Sequence, residues 1–181
     1  MVIFFGIAGS GKGTQAALLS KRMGWPTLSS GEVMRQNLDN PAIKAKVESG
    51  QLVGDEELKP LLEREFRKLG ADKHEFILDG TPRNVKQARW LDQKIKDGEL
   101  KLTAIIHIKL SRRTALERLG SRGRHDDDPE AIKGRFKFYE KSVVPAVSYL
   151  KSQGYKIDEI SGEATPAEVE ASIQRVLEAK S

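Results

Sequence analysis

The chain has no cysteine. Disulfides and thiolate metal centres are thereby excluded, and a reducing, cytoplasmic setting is expected. Aromatic residues are scarce, at 6%, and none is interleaved with a basic run. A surface for single-stranded nucleic acid combines stacking rings with its cations. No nucleic-acid partner is therefore expected, although the net charge is +5 and the pI about 9.4. No apolar run approaches the roughly 20 residues of a membrane-spanning helix, so no membrane partner is expected either. The stretch Met1–Phe5 is too short, and lacks the basic residues, for a signal segment. It reads as a buried strand. His74 and His107 read as structural, and His125 as a bystander.

What is present is a globular chain of 181 residues, 38% hydrophobic and 31% charged. That is long enough for one substantial core. β-rich runs fall at Val2–Gly6, Pro26–Leu28, Glu75–Leu78, Ala104–Lys109 and Lys156–Ile160. Helical spacing occupies Thr14–Met23, Glu56–Leu69, Asn84–Asp97, Arg112–Leu119, Pro129–Ser152 and Pro166–Glu178. Pro145 is expected to kink the long helix, because it lacks a donor and clashes with the preceding turn. Near-continuous apolar strands alternating with helices predict an α/β fold, with a parallel sheet covered on both faces. Ligands of such sheets bind outside the carboxyl ends of the strands.

The strongest motif follows the first strand: Gly6-Ile7-Ala8-Gly9-Ser10-Gly11-Lys12-Gly13-Thr14. Glycines let backbone N–H groups converge on a phosphate, and the following helix adds unpaired donors and a partial positive charge. Gly9, Ser10, Gly11 and Gly13 are the candidate cradle. Lys12 supplies a full charge to the β- and γ-phosphates. Thr14 is a candidate Mg²⁺ ligand or phosphate contact. A strict P-loop places Ser or Thr directly after the lysine, so the intervening Gly13 makes this a variant.

Two further segments follow strands. Phe76–Asp79 ends in a carboxylate suited to Mg²⁺, directly or through water. Gly80 permits close approach to a ligand, Pro82 fixes the turn, and Arg83 is directed to the site. Asp79 as a plain helix cap is the alternative, with Asn84 also available as that cap. In Ser29–Arg35, Ser30 is a candidate N-cap or site residue. Arg35 and Arg83, on separate loops, can clamp one phosphate. Last comes an arginine-rich stretch with Arg118, Arg122 and Arg124, followed by Asp126 and Asp127, with Arg135 beyond. Phosphoryl transfer asks for such cations to position the transferring group and neutralise its charge. Asp128 before Pro129 reads as a helix cap.

Taken in order, these blocks resemble the adenylate kinase family of nucleoside monophosphate kinases over nearly the whole chain. The resemblance rests on Gly6–Gln15, Leu28–Glu32, Gly50–Val53, Asp79–Arg83 with Gln87, and Arg124–Asp127. It implies a single P-loop kinase domain over 1–181. The expected fold is a three-layer sandwich with a five-stranded parallel sheet and helices on both faces. It would carry a small NMP-binding insertion at 29–54 and a very short lid at 118–134.

The implied activity is Mg²⁺-dependent, reversible transfer from ATP to AMP, giving two ADP, by a monomer. Lys12, Asp79, Arg83, Arg118, Arg122, Arg124 and Arg135 match the catalytic positions. Arg118 and Arg122 resemble the ATP-side arginines, and Arg124 and Arg135 the pair bridging both phosphate chains. Thr165 matches the backbone position facing the ATP adenine. Ser30, Arg35, Gln51, Leu52, Val53, Gly80, Thr81, Arg83 and Gln87 match the AMP pocket. Gln87 stands at the adenine-bonding position, where pyrimidine enzymes usually have Asn.

Departures from the family pattern are Thr81 for a usual aromatic residue, Ala8 for a usual Pro, and Gly123 alone between Arg122 and Arg124. The competing readings are a UMP/CMP-type or broad-specificity kinase, and a weakly catalytic P-loop binding module associated with RNA.

Overall fold

A computed structural model of the chain describes residues 1–48, 53–122 and 128–180, with only the backbone of residues 47, 48 and 122. Its centre is a five-stranded sheet. The strands are β1 (Val2–Gly6), β2 (Thr27–Ser29), β3 (Ile77–Asp79), β4 (Ala104–Lys109) and β5 (Ile157–Ser161). All pairings are parallel, in the order β2-β3-β1-β4-β5. The α/β, P-loop kinase architecture expected from the sequence is thus present.

β1 is buried at every position, because alternate residues feed two cores. Ile3 and Phe5 join Leu28, Leu78 and Ile105 on one face. That face is covered by α4 (Asp55–Leu69), α5 (Val85–Lys96) and α8 (Val144–Ser152). Val2 and Phe4 join Ile77, Ile106, Ile108 and Ile160 on the other, under α1 (Lys12–Met23) and α9 (Pro166–Glu178). A third cluster packs Ile7 against Ala115 and Leu119 of α6 (Arg112–Arg122) and Ile132 and Phe136 of α7 (Pro129–Phe138).

The adjacent strands β1 and β3 therefore send their following helices, α1 and α5, to opposite faces. Such a reversal opens a crevice at the carboxyl ends of the two strands. The glycine-rich loop leaves β1 there, and Asp79–Arg83 leaves β3 there.

Several elements differ from the expected bounds. α1 begins at Lys12 rather than Thr14, with Gly11 as its N-cap. The short helices α2 (Ser30–Arg35) and α3 (Pro41–Glu48) occupy the stretch before residue 49. α3 has little amphipathic signal, since Ile43 is its one strongly buried apolar residue among those described. The long helix expected over Pro129–Ser152 is interrupted by a π-helical segment, Tyr139–Val143. There the N–H of Val144 reaches the carbonyl of Tyr139, five residues back. Pro145 follows at once, and the widened turn accommodates its ring and its missing donor.

α5 and α8 are tied by Asp92, which is buried. Its carboxylate accepts from Lys96 Nζ, Tyr149 Oη and Tyr155 Oη, each at 2.8 Å. Burial alone would raise the Asp92 pKa, but these three donors outweigh it and lower it.

Candidate active site

The phosphate loop is built against α6. Gly9 has φ +84°, and a Cβ there would lie 3.0 Å from the Ala115 carbonyl oxygen and 3.2 Å from Leu119 Cγ. Glycine is required both by conformation and by space. Lys12 lies at the first turn of α1 with its ammonium folded over the loop. Nζ donates to the Gly6 carbonyl at 2.6 Å, the Ile7 carbonyl at 3.0 Å and Ser10 Oγ at 3.5 Å. Burial lowers the Lys12 pKa to about 8; Asp79 opposes the shift and Arg83 adds to it. Ser10 is buried, whereas Gly13 and Thr14 are exposed on the opening turn of α1.

Anion binding at Lys12 is expected to depend on pH. A bound triphosphate draws the proton back onto a group that is losing it above about pH 8. ATP affinity is therefore expected to be flat near pH 7 and to weaken as pH rises through 8 to 9. Binding near pH 9 is expected to take up about one proton. Titration calorimetry in buffers of different ionisation enthalpy measures this uptake. No uptake at pH 9 contradicts the assignment.

The β3 side is equally constrained. Asp79 sits beside Phe4 of β1 and Ser29 of β2 in register. Gly80 has φ +81°, and a Cβ there would lie 2.6 Å from Ser30 Oγ and 2.9 Å from Arg83 Nη2. Arg83 Nε donates to the Gly80 carbonyl at 2.6 Å, and Ser30 Oγ donates to the same oxygen at 2.9 Å. Burial lowers the Arg83 pKa, with Asp79 opposing.

Ser30 is fully buried, and its hydroxyl makes this bond instead of capping α2, whose N-cap is Ser29. Arg35 Nη1 lies 3.5 Å from the Cβ position of Gly31, the residue after Ser30. The Ser30–Gly80 contact thus brings Arg35 and Arg83 into one neighbourhood. Asn84, not Asp79, caps α5, by accepting from the Gln87 N–H at 2.8 Å. Thr81 is buried, and its hydroxyl has no hydrogen-bond partner among the described residues.

Gln87 is also buried, and its amide is mostly engaged within the protein. Oε1 accepts from the Arg83 backbone N–H at 2.7 Å, and Nε2 donates to Asp55 Oδ1 at 2.7 Å. Asp55 also accepts from Asn84 Nδ2 at 3.1 Å. Asp55 was not a sequence candidate. An acid in the first turn of a helix reads as a dipole partner, and nothing in the spacing links it to Gln87. Val53, just before that helix, is buried.

On the opposite flank, α6 carries Arg118 one turn beyond Thr114. Glu163, after β5, accepts from the Ser111 N–H and from Thr114 Oγ1, both at 2.7 Å. The Ser111 and Thr114 bonds, with a smaller effect of Arg118, hold Glu163 below the usual carboxylate range. Thr165 caps α9 through a reciprocal box with Glu168, and its own N–H donates to Glu168 Oε2 at 2.9 Å. Gln15 Nε2 donates to the Pro166 carbonyl at 2.9 Å, which ties this segment to the start of α1. Asp128 caps α7 as expected, accepting from the N–H groups of Glu130 and Ala131. Arg135 lies within α7. Gln51, Leu52 and Arg124, and the side chain of Arg122, lie outside the described residues.

A strand–glycine loop–helix unit with a half-buried lysine thus faces a carboxylate and arginines from the neighbouring strand ends. Comparison with known proteins agrees with that arrangement. The family model for adenylate kinase matches residues 4–155. An adenylate kinase of Brucella ovis is 36% identical over 191 aligned residues, covering 97% of each chain. Adenylate kinases of Brucella canis and Brucella abortus match at the same identity and coverage. The chain belongs to the adenylate kinase family and is a nucleoside monophosphate kinase, a nucleotide-binding phosphotransferase.

Proposed function

We propose that the protein catalyses reversible phosphoryl transfer between ATP and AMP, giving two ADP. The observation that carries this reading is the pairing of Lys12 and Arg83 across Asp79 at the crevice between β1 and β3. One strand end presents a triphosphate cradle, the other a clamp for the acceptor phosphate. In-line transfer needs two phosphate chains held end to end and cations where charge gathers on the transferring group. Lys12, with the loop Gly9–Thr14, holds the donor phosphates. Arg35 and Arg83 grip the acceptor phosphate. Arg118, Arg122, Arg124 and Arg135 neutralise the charge between them. Thr165 stands beside the donor base, and Gln51, Leu52 and Val53 wall the acceptor pocket. Residues 29–54 form the lobe over the monophosphate, and 118–134 a minimal lid.

Mg²⁺ fits the donor set. Among the described residues no cluster of His, Asp and Glu forms a cage, while Asp79 and Thr14 offer one carboxylate and one hydroxyl beside the loop. Mg²⁺ takes few protein ligands and otherwise uses waters and substrate phosphates. When bound, it neutralises phosphate oxygens. Asp79 would orient it, directly or through water.

Gln87 reads the acceptor base. With one Oε1 lone pair and one amide hydrogen committed, the second amide hydrogen is the donor left for a base. A donor suits adenine, whose N1 accepts, and disfavours guanine and uracil, which carry N–H at the corresponding ring position. Cytosine also accepts there, so a CMP-accepting or broad-specificity kinase is the second reading. A panel of AMP, CMP, GMP and UMP with Mg·ATP, scored by diphosphate formed, tests both. AMP is expected to give the highest kcat/KM, with CMP next. Equal turnover of UMP or GMP contradicts the role of Gln87.

The partners are then small-molecule nucleotides, the working form a monomer and the compartment the cytoplasm. Among the described residues no helix is long and apolar enough to cross a membrane.

A further inference from the structure

Two titratable groups in contact, the buried His107 and the half-buried Tyr139, take no part in the chemistry above. His107, on β4, is 3% exposed. It lies beside Phe5 of β1 and Glu159 of β5 in register. Its Nε2 is 2.5 Å from the phenol oxygen of Tyr139. Its Nδ1 has no hydrogen-bond partner among the described residues and faces Glu159 Oε1 at 3.8 Å. The carboxylate favours the tautomer with hydrogen on Nδ1, which leaves Nε2 to accept from the phenol. Burial pushes the imidazole pKa down to about 4; Lys109 and Lys12 add to the shift and Glu159 opposes it. Burial, then Glu159 and Glu140, pushes the Tyr139 phenol up to about 12. At neutral pH the contact is thus an uncharged O–H···N bond. In a buried setting such a bond is directional and costly to leave unmade.

Tyr139 also stands at a particular point in the chain. Its backbone N–H bonds to the carbonyl of Arg135, one turn earlier, so the two side chains share a helix face. It opens the π-helical segment, and such widened turns concentrate at functional sites. Its ring packs on the cluster formed by Ile7, Ala115, Leu119, Ile132 and Phe136, against the wall of the phosphate loop. The next residue, Glu140, is ion-paired with Arg112 of α6. The turn after Arg135 is therefore pinned to the sheet by one residue and to α6 by the next.

We propose that Tyr139, anchored by His107, is a positioning residue for Arg135: the buried bond sets the rotation of α7 and hence the direction from which the guanidinium reaches the transferring phosphoryl group. The inference rests on the role given to Arg135 in the ATP–AMP transfer above. Transition-state stabilisation falls steeply when a charge is misplaced by as little as about 1 Å. A hydroxyl remote from the nucleotide can act on rate in that way.

The test is a double-mutant cycle. Tyr139→Phe removes one oxygen and keeps the ring. It is expected to lower kcat about 10-fold, with the KM for ATP close to that of the parent and the melting temperature lower by only a few degrees, the cost of leaving His107 Nε2 unpaired. In an Arg135→Lys background the same change is expected to cost less than about twofold, since the group being positioned has gone. His107→Leu removes the same bond independently and is expected to reproduce the loss. His107→Gln, which still offers Tyr139 an amide partner, is expected to retain most of the parent kcat.

A full kcat in Tyr139→Phe and His107→Leu, or an equal fall in both Arg135 backgrounds, overturns the proposal. A parent protein that transfers phosphate from ATP to AMP while ignoring these changes overturns the proposal alone. A parent without that transfer overturns the functional reading as well.

Discussion

Lys12→Met is expected to lower kcat by about 10²-fold or more, as removal of a preorganised charge-stabilising donor does. Methionine keeps a long, unbranched side chain, so the loss is one of charge and hydrogen bonding rather than bulk. In the free protein the ammonium is held by the Gly6 and Ile7 carbonyls and by Ser10 Oγ. It is therefore already placed inside the loop before any nucleotide arrives. In the proposed reaction a phosphate oxygen would replace those carbonyl partners, and the ammonium would strengthen its grip as charge accumulates on the group being transferred. Steady-state kinetics with saturating ATP and AMP measures the effect, with the melting temperature as a control for folding. A kcat within a few-fold of the parent removes Lys12 from the reaction.

Arg83→Ala is expected to cost a comparable factor, about 10² in kcat/KM for the acceptor, and to raise the acceptor KM as well. The guanidinium is positioned by its bond to the Gly80 carbonyl, the oxygen that Ser30 also holds. Its backbone N–H is fixed in turn by Gln87. A planar fork held in this way can grip a phosphate with two parallel bonds. Arg83→Lys keeps the charge and loses the fork, so it is expected to recover only part of the activity. Separate titration of ATP and AMP distinguishes the two sides of the site. Arg83→Ala should spare ATP affinity, and Lys12→Met should not spare it. The reverse pattern exchanges the two assignments.

Much of this arrangement was legible in the sequence, for identifiable reasons. β1 and β4 lie inside the sheet between two apolar layers, so β1 reads as an unbroken apolar run and β4 as one interrupted by His107 before it ends at Lys109. The loop after β1 is constrained by close approach of α6 at Gly9, which limits the residues that can occupy it. Asp79 and Arg83 could be placed near the loop from the parallel topology alone.

Other features were not legible because they depend on contacts between residues far apart in the chain. Ser30 reads as a helix cap until Gly80 arrives to accept its hydroxyl. Gln87 reads as free to meet a base until Asp55 and the Arg83 N–H claim most of its amide. The His107–Tyr139 bond joins residues 32 positions apart and leaves no local pattern. Among the described residues of α3 only Ile43 is strongly buried, so its helical period is faint. Pro145 foretold a disturbance, but the π-helical form of Tyr139–Val143 follows from accommodation of its ring within a packed helix.

In the proposed reaction both phosphate chains meet in the crevice between β1 and β3, with AMP as the acceptor. Product counting tests it most directly. The protein, Mg·ATP and AMP are mixed, and ATP, AMP, ADP and inorganic phosphate are followed together by chromatography. The prediction is two ADP formed and one AMP consumed for each ATP used, with the same equilibrium mixture reached from ADP alone. One ADP and one phosphate per ATP, with AMP unchanged, would contradict it.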